Sequence, residues 1–133
     1  DAWTELTSAP LGHLVGNDAV VHDGKIYSIN DQNTFSVYDI GLGTWSSFDT
    51  VGGAVTVGES ELVLIGDKIY RLSGQAAAAS NRVHVYDIPT NTWSELSQTL
   101  FYTYACAVAV GDKIYLFGGL PHDTVSGNEY VAS

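Results

Sequence analysis

The sequence has few positive charges and almost no cysteine. Its 133 residues include five lysines and arginines against fifteen aspartates and glutamates, which gives a formal net charge of −10. So few cations do not build a patch that neutralises phosphates, and nucleic acid or an anionic membrane is therefore a poor candidate partner. The single cysteine, Cys106, excludes an internal disulfide framework. Because it falls in a run of small apolar residues, we expect Cys106 to be buried.

Two further absences narrow the fold class. No apolar run approaches the length of a membrane-spanning helix, and no segment shows the periodicity of an amphipathic helix. The chain is nevertheless 45% hydrophobic and long enough for one domain with a core of its own. We therefore expect an all-β domain.

Internal repetition is the main feature that the sequence does have. The segments "HDGKIYSIND" at 22–31, "IGDKIYRLSG" at 65–74 and "VGDKIYLFGG" at 110–119 are three versions of one pattern. "VYDI" occurs at 37–40 and 85–88, and a tryptophan follows its tyrosine by seven positions in both copies. A constant offset inside a repeat indicates a structural unit rather than an isolated motif.

Each repeat is predicted to contain four short strands. The first is a small-residue apolar run that ends in Asp-Gly or Gly-Asp, pairs that favour tight hairpin turns. The second carries "KIY", whose isoleucine and tyrosine point to opposite faces of the sheet. The third carries "VYD", and a turn rich in Gly, Pro and Asn leads to a fourth with the tryptophan. Four antiparallel strands, with small residues first and a tryptophan last, predict the blade of a β-propeller.

The two patterns together, "GDKIYLFGG" and "VYD" followed by "TNTWSEL", resemble the kelch repeat, and the resemblance covers nearly the whole chain. Gly118-Gly119 keeps the glycine pair of the family, whereas Ser73-Gly74 and Asn30-Asp31 stand in its place in the other two repeats. The resemblance implies an all-β fold with kelch-type β-propeller blades of four antiparallel strands. Three blades per chain would make half of a six-bladed propeller.

The repeats divide one domain, residues 1–133, into blade 1 at 11–48, blade 2 at 55–96 and blade 3 at 101–133, which lacks its outer strand. Residues 1–6, "DAWTEL", match the tryptophan strand and are expected to close the last blade. We expect a homodimer in which this strand of one copy completes the third blade of the other and forms a six-bladed ring. The alternative is a fragment of a longer kelch propeller.

The resemblance also implies where a ligand would bind. The loops between second and third strands (30–34, 74–81 and 119–128) and those between blades (8–17, 51–60 and 98–104) commonly form one binding face. Aromatic residues there suit a sugar ring or a peptide anchor, although packing between blades is the alternative. The carboxylates within 58–61 suit a cation or sugar hydroxyls, with a solvated loop as the alternative. The candidate binding residues are His13, Glu59, Asn81, Arg82, Phe101, Tyr102, Tyr104 and His122.

The function that we expect is a binding scaffold. No motif demands chemistry, and the four histidines lack metal-ligand spacing, so no catalytic residue, metal or cofactor is assigned. The expected partners are a second copy of the chain and a protein segment or glycan at the channel mouth. The alternative is part of a kelch propeller enzyme or carbohydrate-binding protein, galactose oxidase-like or mutarotase-like. The sequence indicates no compartment.

Overall fold

A computed structural model describes residues 2–9, 18–30, 34–48, 60–72, 83–96, 102–121 and 130–132, of which 102–104, 119–121 and 130–132 are described by their backbone alone. These residues form eleven strands and no helix. The strands are β1 (Asp18–His22), β2 (Lys25–Ile29), β3 (Phe35–Asp39), β4 (Thr44–Phe48), β5 (Glu61–Ile65), β6 (Lys68–Leu72), β7 (His84–Asp87), β8 (Thr92–Glu95), β9 (Tyr102–Val110), β10 (Lys113–Pro121) and β11 (Tyr130–Ala132).

The strands pair in chain order as three antiparallel sheets, β1 to β4, β5 to β8 and β9 to β11. These sheets are blades 1, 2 and 3. The predicted four-strand unit is confirmed in blades 1 and 2, and β11 pairs with β10 in the place predicted for a third strand. Lys25, Lys68 and Lys113 begin the second strands of the three blades. A position in the inner hairpin of blade 1 is therefore equivalent to the position 43 residues later in blade 2, and that position to the one 45 residues later in blade 3.

The inner hairpins turn on residues that tolerate a left-handed backbone. In blade 1, Asp23 and Gly24 have φ angles of 44° and 71°, the pattern of a type I′ turn. In the other blades the glycine comes first, and Gly66 and Gly111 take φ angles of 56° and 65°. The glycine–aspartate pairs therefore form the hairpins predicted for them.

The turns between third and fourth strands are held by an aspartate at the end of "VYD". Asp39 Oδ1 accepts a hydrogen bond from Leu42 N at 2.8 Å, and Asp87 Oδ1 accepts one from Thr90 N at 3.1 Å. Lys68 Nζ also donates to Asp87 Oδ2 at 2.6 Å. The bond to Lys68 first, and the bonds to Thr90 next, lower the pKa of Asp87 to about 2. In blade 2, Lys68 therefore ties the second strand to the turn after the third.

Blades 1 and 2 meet face to face through an apolar seam with aromatic rings at its outer part. The Phe35 ring lies 4.7 Å from that of Tyr86 and 5.0 Å from that of Trp93, the latter edge to face. Such ring pairs add to the stability gained by burying their area. At the hairpin-turn end, His22 Nε2 of blade 1 lies 3.1 Å from Asp67 Oδ1 of blade 2. The buried residues of this seam are Tyr27, Ile29, Phe35, Val37, Leu62, Ile69 and Tyr86, with Trp93 packed against them.

The other face of blade 2 packs on blade 3. Val63, Leu72 and Val85 of blade 2 are buried together with Ile114, and Tyr70 packs against them. Since Ile69 belongs to the first seam and Tyr70 to the second, the predicted opposite orientation of isoleucine and tyrosine is confirmed. Blade 2 therefore buries both faces of one sheet.

The inner hairpin of blade 3 is longer than predicted. The sequence indicated strands at 105–110 and 113–117, but β9 begins at Tyr102 and β10 ends at Pro121, and these two residues pair. The loops predicted at 98–104 and 119–128 are therefore wrong for 102–104 and 119–121. "YTYACAVAV" is rich in Tyr, Thr and Val, which favour strands, and it has a pairing partner along its whole length.

Residues 2–9 form no strand in this chain and are exposed. Thr7 nevertheless contacts blade 1, because its carbonyl accepts a hydrogen bond from Trp45 Nε1 at 3.0 Å and its hydroxyl donates to Gly43 O at 3.2 Å. The pairing of residues 1–6 with another copy stays a prediction.

We predict that Asn91→Ala destabilises the protein by about 2 kcal/mol. Asn91 has a φ of 53°, a conformation that costs an alanine roughly 1–2 kcal/mol, and its Oδ1 accepts a 2.8 Å hydrogen bond from the Tyr86 hydroxyl, typically worth about 1 kcal/mol. Asn91→Gly is the matched control, because blade 1 has Gly43 at this position with a φ of 67°. Urea unfolding should rank wild type, glycine variant and alanine variant in falling order. Equal loss in both variants would show that the backbone conformation is not the cause.

Candidate functional site

The predicted binding loops leave the blades at the end where the first strands begin and the second strands finish. We call this the loop-bearing end. The described residues there include Asp18, Asn30, Thr34, Ser60, Glu61 and Arg71. The Gly-Asp and Asp-Gly turns lie at the opposite end of the same hairpins.

Asp18 connects blade 1 to blade 2 at this end. Its Oδ1 accepts a hydrogen bond from Ala19 N at 2.7 Å, and its Oδ2 accepts one from Leu62 N, 44 positions along the chain. A carboxylate that accepts backbone N–H groups forms a strong, charge-assisted contact. Asp18 therefore bonds the first strand of its own blade to the first strand of the next.

Glu61 makes the corresponding contact from blade 2, because it accepts a backbone hydrogen bond from Ala107 of blade 3. Burial, and then the negative charge of Asp18, raise the pKa of Glu61 above its usual value, and the bond from Ala107 opposes them. The loop-bearing end thus holds two neighbouring carboxylates in a partly desolvated place. The sequence had suggested a loop over 58–61, but Glu61 is the first residue of β5.

Arg71 is also buried at this end, and its Nε donates to Ser60 Oγ at 3.0 Å. Burial lowers the pKa of Arg71 to about 10. In blade 1, Asn30 is also buried, and its Oδ1 accepts a 2.7 Å hydrogen bond from Thr34 N, so these two residues span the loop at 30–34. The floor of the loop-bearing end is therefore polar.

Most of the candidate binding residues lie outside the described part of the chain: His13, Glu59, Asn81, Arg82, Phe101 and His122. Tyr102 and Tyr104 lie on β9, where the backbone alone is described. They belong to a strand rather than to the loop predicted before it. The structure therefore places their backbone at the loop-bearing end and leaves the aromatic site itself a prediction.

Cys106 is exposed, whereas the sequence predicted a buried thiol. The side chains of β9 alternate: Ala105 and its alternate neighbours Ala107 and Ala109 are turned toward blade 2, and Cys106 is turned away. Asp18, Glu61 and Cys106 occupy equivalent positions in the three blades. Sequence reasoning missed Asp18 and the burial of Arg71, although aligning the repeats would have placed 18, 61 and 106 in one column.

Two features are absent from the described residues. No three His, Cys, Asp or Glu side chains there come together as ligands for a metal ion. That part of the chain also contains no helix long and apolar enough to cross a membrane.

Two curated proteins that match the sequence have kelch in their names. The chain is 29% identical over 128 residues to Kelch-like protein terF of Aspergillus terreus (strain NIH 2624 / FGSC A1156), which covers 85% of this chain and 27% of that protein. It is 40% identical over 52 residues to Kelch repeat and BTB domain-containing protein 12 of Danio rerio, which covers 38% of this chain and 8% of that protein. The repeats of this chain are thus similar to sequences of proteins named for the kelch repeat.

Other comparisons extend beyond proteins named for the kelch repeat. The chain is 33% identical over 88 residues to N-(sulfonatooxy)prop-2-enimidothioate sulfolyase of Thlaspi arvense, over 58% of this chain and 25% of that enzyme. The solved structure of YjhT superposes on this chain with a TM-score of 0.75, and the match covers 86% of this chain and 36% of the YjhT chain. The two sequences are 17% identical, so the similarity is one of fold alone. No protein-family model matches the sequence. The chain thus spans about a quarter or less of the length of these curated relatives.

We predict that the stability of Glu61→Gln increases relative to that of wild type as the pH rises from 4 to 7. The folded-state pKa of Glu61 is raised, so its contribution to stability is present at low pH and is lost as the pH rises from 4.5, its ordinary value, through the raised value. Glutamine keeps an acceptor for Ala107 N and removes the charge beside Asp18.

The measurement is the urea midpoint of each variant across this pH range. Glu5→Gln is the control, since it removes the same charge from an exposed position. Parallel pH profiles for Glu61→Gln and wild type would contradict the assigned desolvation of Glu61.

Proposed function

We propose that the chain is a kelch-type binding scaffold, that two copies close a six-bladed propeller, and that a protein segment binds at its loop-bearing end. The observation that carries the assembly is the chemistry of the two end faces, on blade 3 and on blade 1. Both repeat the residues that meet inside the chain at the seams of blade 2.

The outer face of blade 3 is an exposed copy of a buried face. Val108 and Phe117 are 44% and 46% exposed, whereas the equivalent residues of blade 2, Val63 and Leu72, are 4% and 3% exposed against blade 3. Val110 repeats Ile65, which also packs in that seam. The Tyr115 and Phe117 rings stack on the same exposed face, with their centroids 6.5 Å apart.

Blade 1 has an outer face that is turned away from blade 2. This face carries the same kinds of residue as the face of blade 2 that packs on blade 1. Val21 and Ile40 are exposed, and they stand where blade 2 has Leu64 and Ile88, which pack in the first seam. The rings of Tyr38 and Trp45 lie 5.0 Å apart, as those of Tyr86 and Trp93 lie 5.1 Å apart. This face therefore fits a neighbour shaped like blade 1 or blade 3.

A second copy supplies that neighbour at both ends. Blade 3 of each copy would pack on blade 1 of the other, and two-fold symmetry makes the two seams identical. Exposed apolar faces of this kind mark interaction surfaces, and a closed ring removes both. Six blades lie within the range of known propellers, about four to eight.

The N-terminal segment supports an exchange of strands between copies. Trp3 is fully exposed and Leu6 is largely so, although "WTEL" matches the "WSEL" segment that begins with the half-buried Trp93. Thr7 is hydrogen-bonded at blade 1. Residues 1–6 would thus extend to the neighbouring third blade and complete it, with Trp3 packed as Trp93 is. The alternative is that further blades of a longer chain cover these faces.

We predict that the wild-type chain self-associates and that Val108→Asp weakens its dimer by about a hundredfold or more. The substitution would bury an unpaired carboxylate at both seams of the ring. Sedimentation equilibrium over a range of concentrations measures the dissociation constant.

Leu42→Asp is the matched control for Val108→Asp. Leu42 is another exposed apolar residue, but its equivalent in blade 2, Thr90, lies in an exposed turn. It is expected to leave the dissociation constant within about threefold of wild type. A wild-type chain that remains a monomer of 14.2 kDa at all concentrations would overturn the proposed ring.

We predict that a binding peptide selected from a displayed peptide library loses affinity with Tyr102→Ala and keeps it with Tyr102→Phe. An aromatic anchor at the loop-bearing end contributes through its ring, typically 2 kcal/mol or more at a hot spot, or about thirtyfold in affinity. Isothermal titration measures both variants. Enrichment on a glycan array in place of the peptide library would assign the site to a sugar ligand and overturn the protein-segment proposal.

A further inference from the structure

Two first strands carry a carboxylate that bridges to the next blade. Asp18 of blade 1 accepts a hydrogen bond from Leu62 N of blade 2, and Glu61 of blade 2 accepts one from Ala107 N of blade 3. Leu62 and Ala107 are equivalent positions of successive blades. The same bridge, from side chain to backbone, therefore occurs at both seams inside the chain.

Blade 3 lacks this carboxylate. Cys106 stands at the position equivalent to Asp18 and Glu61, and its thiol is a short side chain and a weak acceptor. It lies on the exposed face of blade 3, next to Val108 in the alternation of β9. Blade 3 therefore presents the apolar part of a seam without the polar bridge that accompanies it elsewhere.

The proposed ring sets Cys106 opposite the amide of Ala19 in a second copy, because Ala19 is the blade 1 equivalent of Leu62 and Ala107. In the single chain, Ala19 N donates to Asp18 Oδ1 of its own blade. The seam between copies thus has a thiol at the position that supplies a carboxylate to the other two seams, and Ala19 N has no acceptor from the neighbouring blade.

We infer that Cys106 makes the seams between copies the weakest junctions of the ring, so that the propeller opens there and not between blades of one chain. The inference rests on the proposed two-copy ring. It assigns a partner for the exposed face of blade 3, the inner strand of blade 1 in a second copy, and names the residue that limits its strength.

Cys106→Gln tests this inference. Glutamine has the shape of Glu61 and offers the missing acceptor without adding a charge beside that residue. We expect the dissociation constant of the dimer to fall about tenfold or more, since each of two seams gains an acceptor that Ala19 N shares with Asp18 Oδ1. Cys106→Ser is the control, because its hydroxyl is polar but no longer than the thiol, and its dissociation constant is expected to stay within about threefold of wild type.

A second measurement uses the wild-type thiol itself. Maleimide labelling of Cys106 should slow as the protein concentration rises through the dissociation constant, because the thiol enters the seam. Amide exchange at Leu62 and Ala107, measured in the same conditions, should accelerate in Asp18→Ala and Glu61→Ala respectively, since each loses the bridge inside the chain.

The outcomes separate this inference from the proposed ring. A wild-type dimer that Cys106→Gln does not tighten overturns the inference and leaves the ring standing. A wild-type dimer that labels equally fast at every concentration overturns the inference and the proposed packing of blade 3 on blade 1 as well. Absence of self-association in wild type and in Cys106→Gln overturns both the ring and the seam between copies. Unchanged exchange at Leu62 and Ala107 overturns the bridges themselves, whatever the oligomeric state.

Discussion

The structure depends on the contact of one twisted sheet with the next. Blade 2 shows why: Ile69 is buried against blade 1, and Leu72, three residues away on the same strand, is buried against blade 3. If a four-stranded sheet has two apolar faces, exposing either face to water costs a large amount of hydrophobic free energy. Blade 2 therefore has a neighbour on each face, and the rings of Phe35, Tyr86 and Trp93 show how closely blades 1 and 2 pack.

This requirement separates scaffold from site along each strand. The repeated letters "GDKIY" serve the scaffold: the turn reverses the chain, the isoleucine and tyrosine fill opposite seams, and Lys68 holds the turn at Asp87. The turn lies at one end of the hairpin and the predicted binding loops leave the other. Differences between the seams, and between the predicted binding loops, therefore come from residues that are not repeated from blade to blade. At the loop-bearing end these include Asp18, Glu61 and Cys106.

Much of the fold could be predicted because its signals are local. The segments that carry "KIY" and "VYD" become the second and third strands of blades 1 and 2, as predicted, since alternation and turn residues act over a few positions. The extension of β9 to Tyr102 was missed because the repeat length suggested a shorter strand, whereas pairing with Pro121 continues it. Cys106 was misplaced because a small apolar residue fits either face of an inner strand. The candidate site is not tested to the same extent, because six of its eight residues lie outside the described part of the chain.

The sequence by itself determined the repeating unit, its strand order and its turns, because the period of two and the backbone freedom of Gly, Asn and Asp are properties of short segments. Only the tertiary structure decided which faces meet and what each carboxylate contacts. Asp18 reaches an amide 44 positions away, and the pKa of Glu61 rises because burial and Asp18 act on it from the packed blades. Such contacts depend on how the blades are stacked, and no short stretch of sequence contains that information.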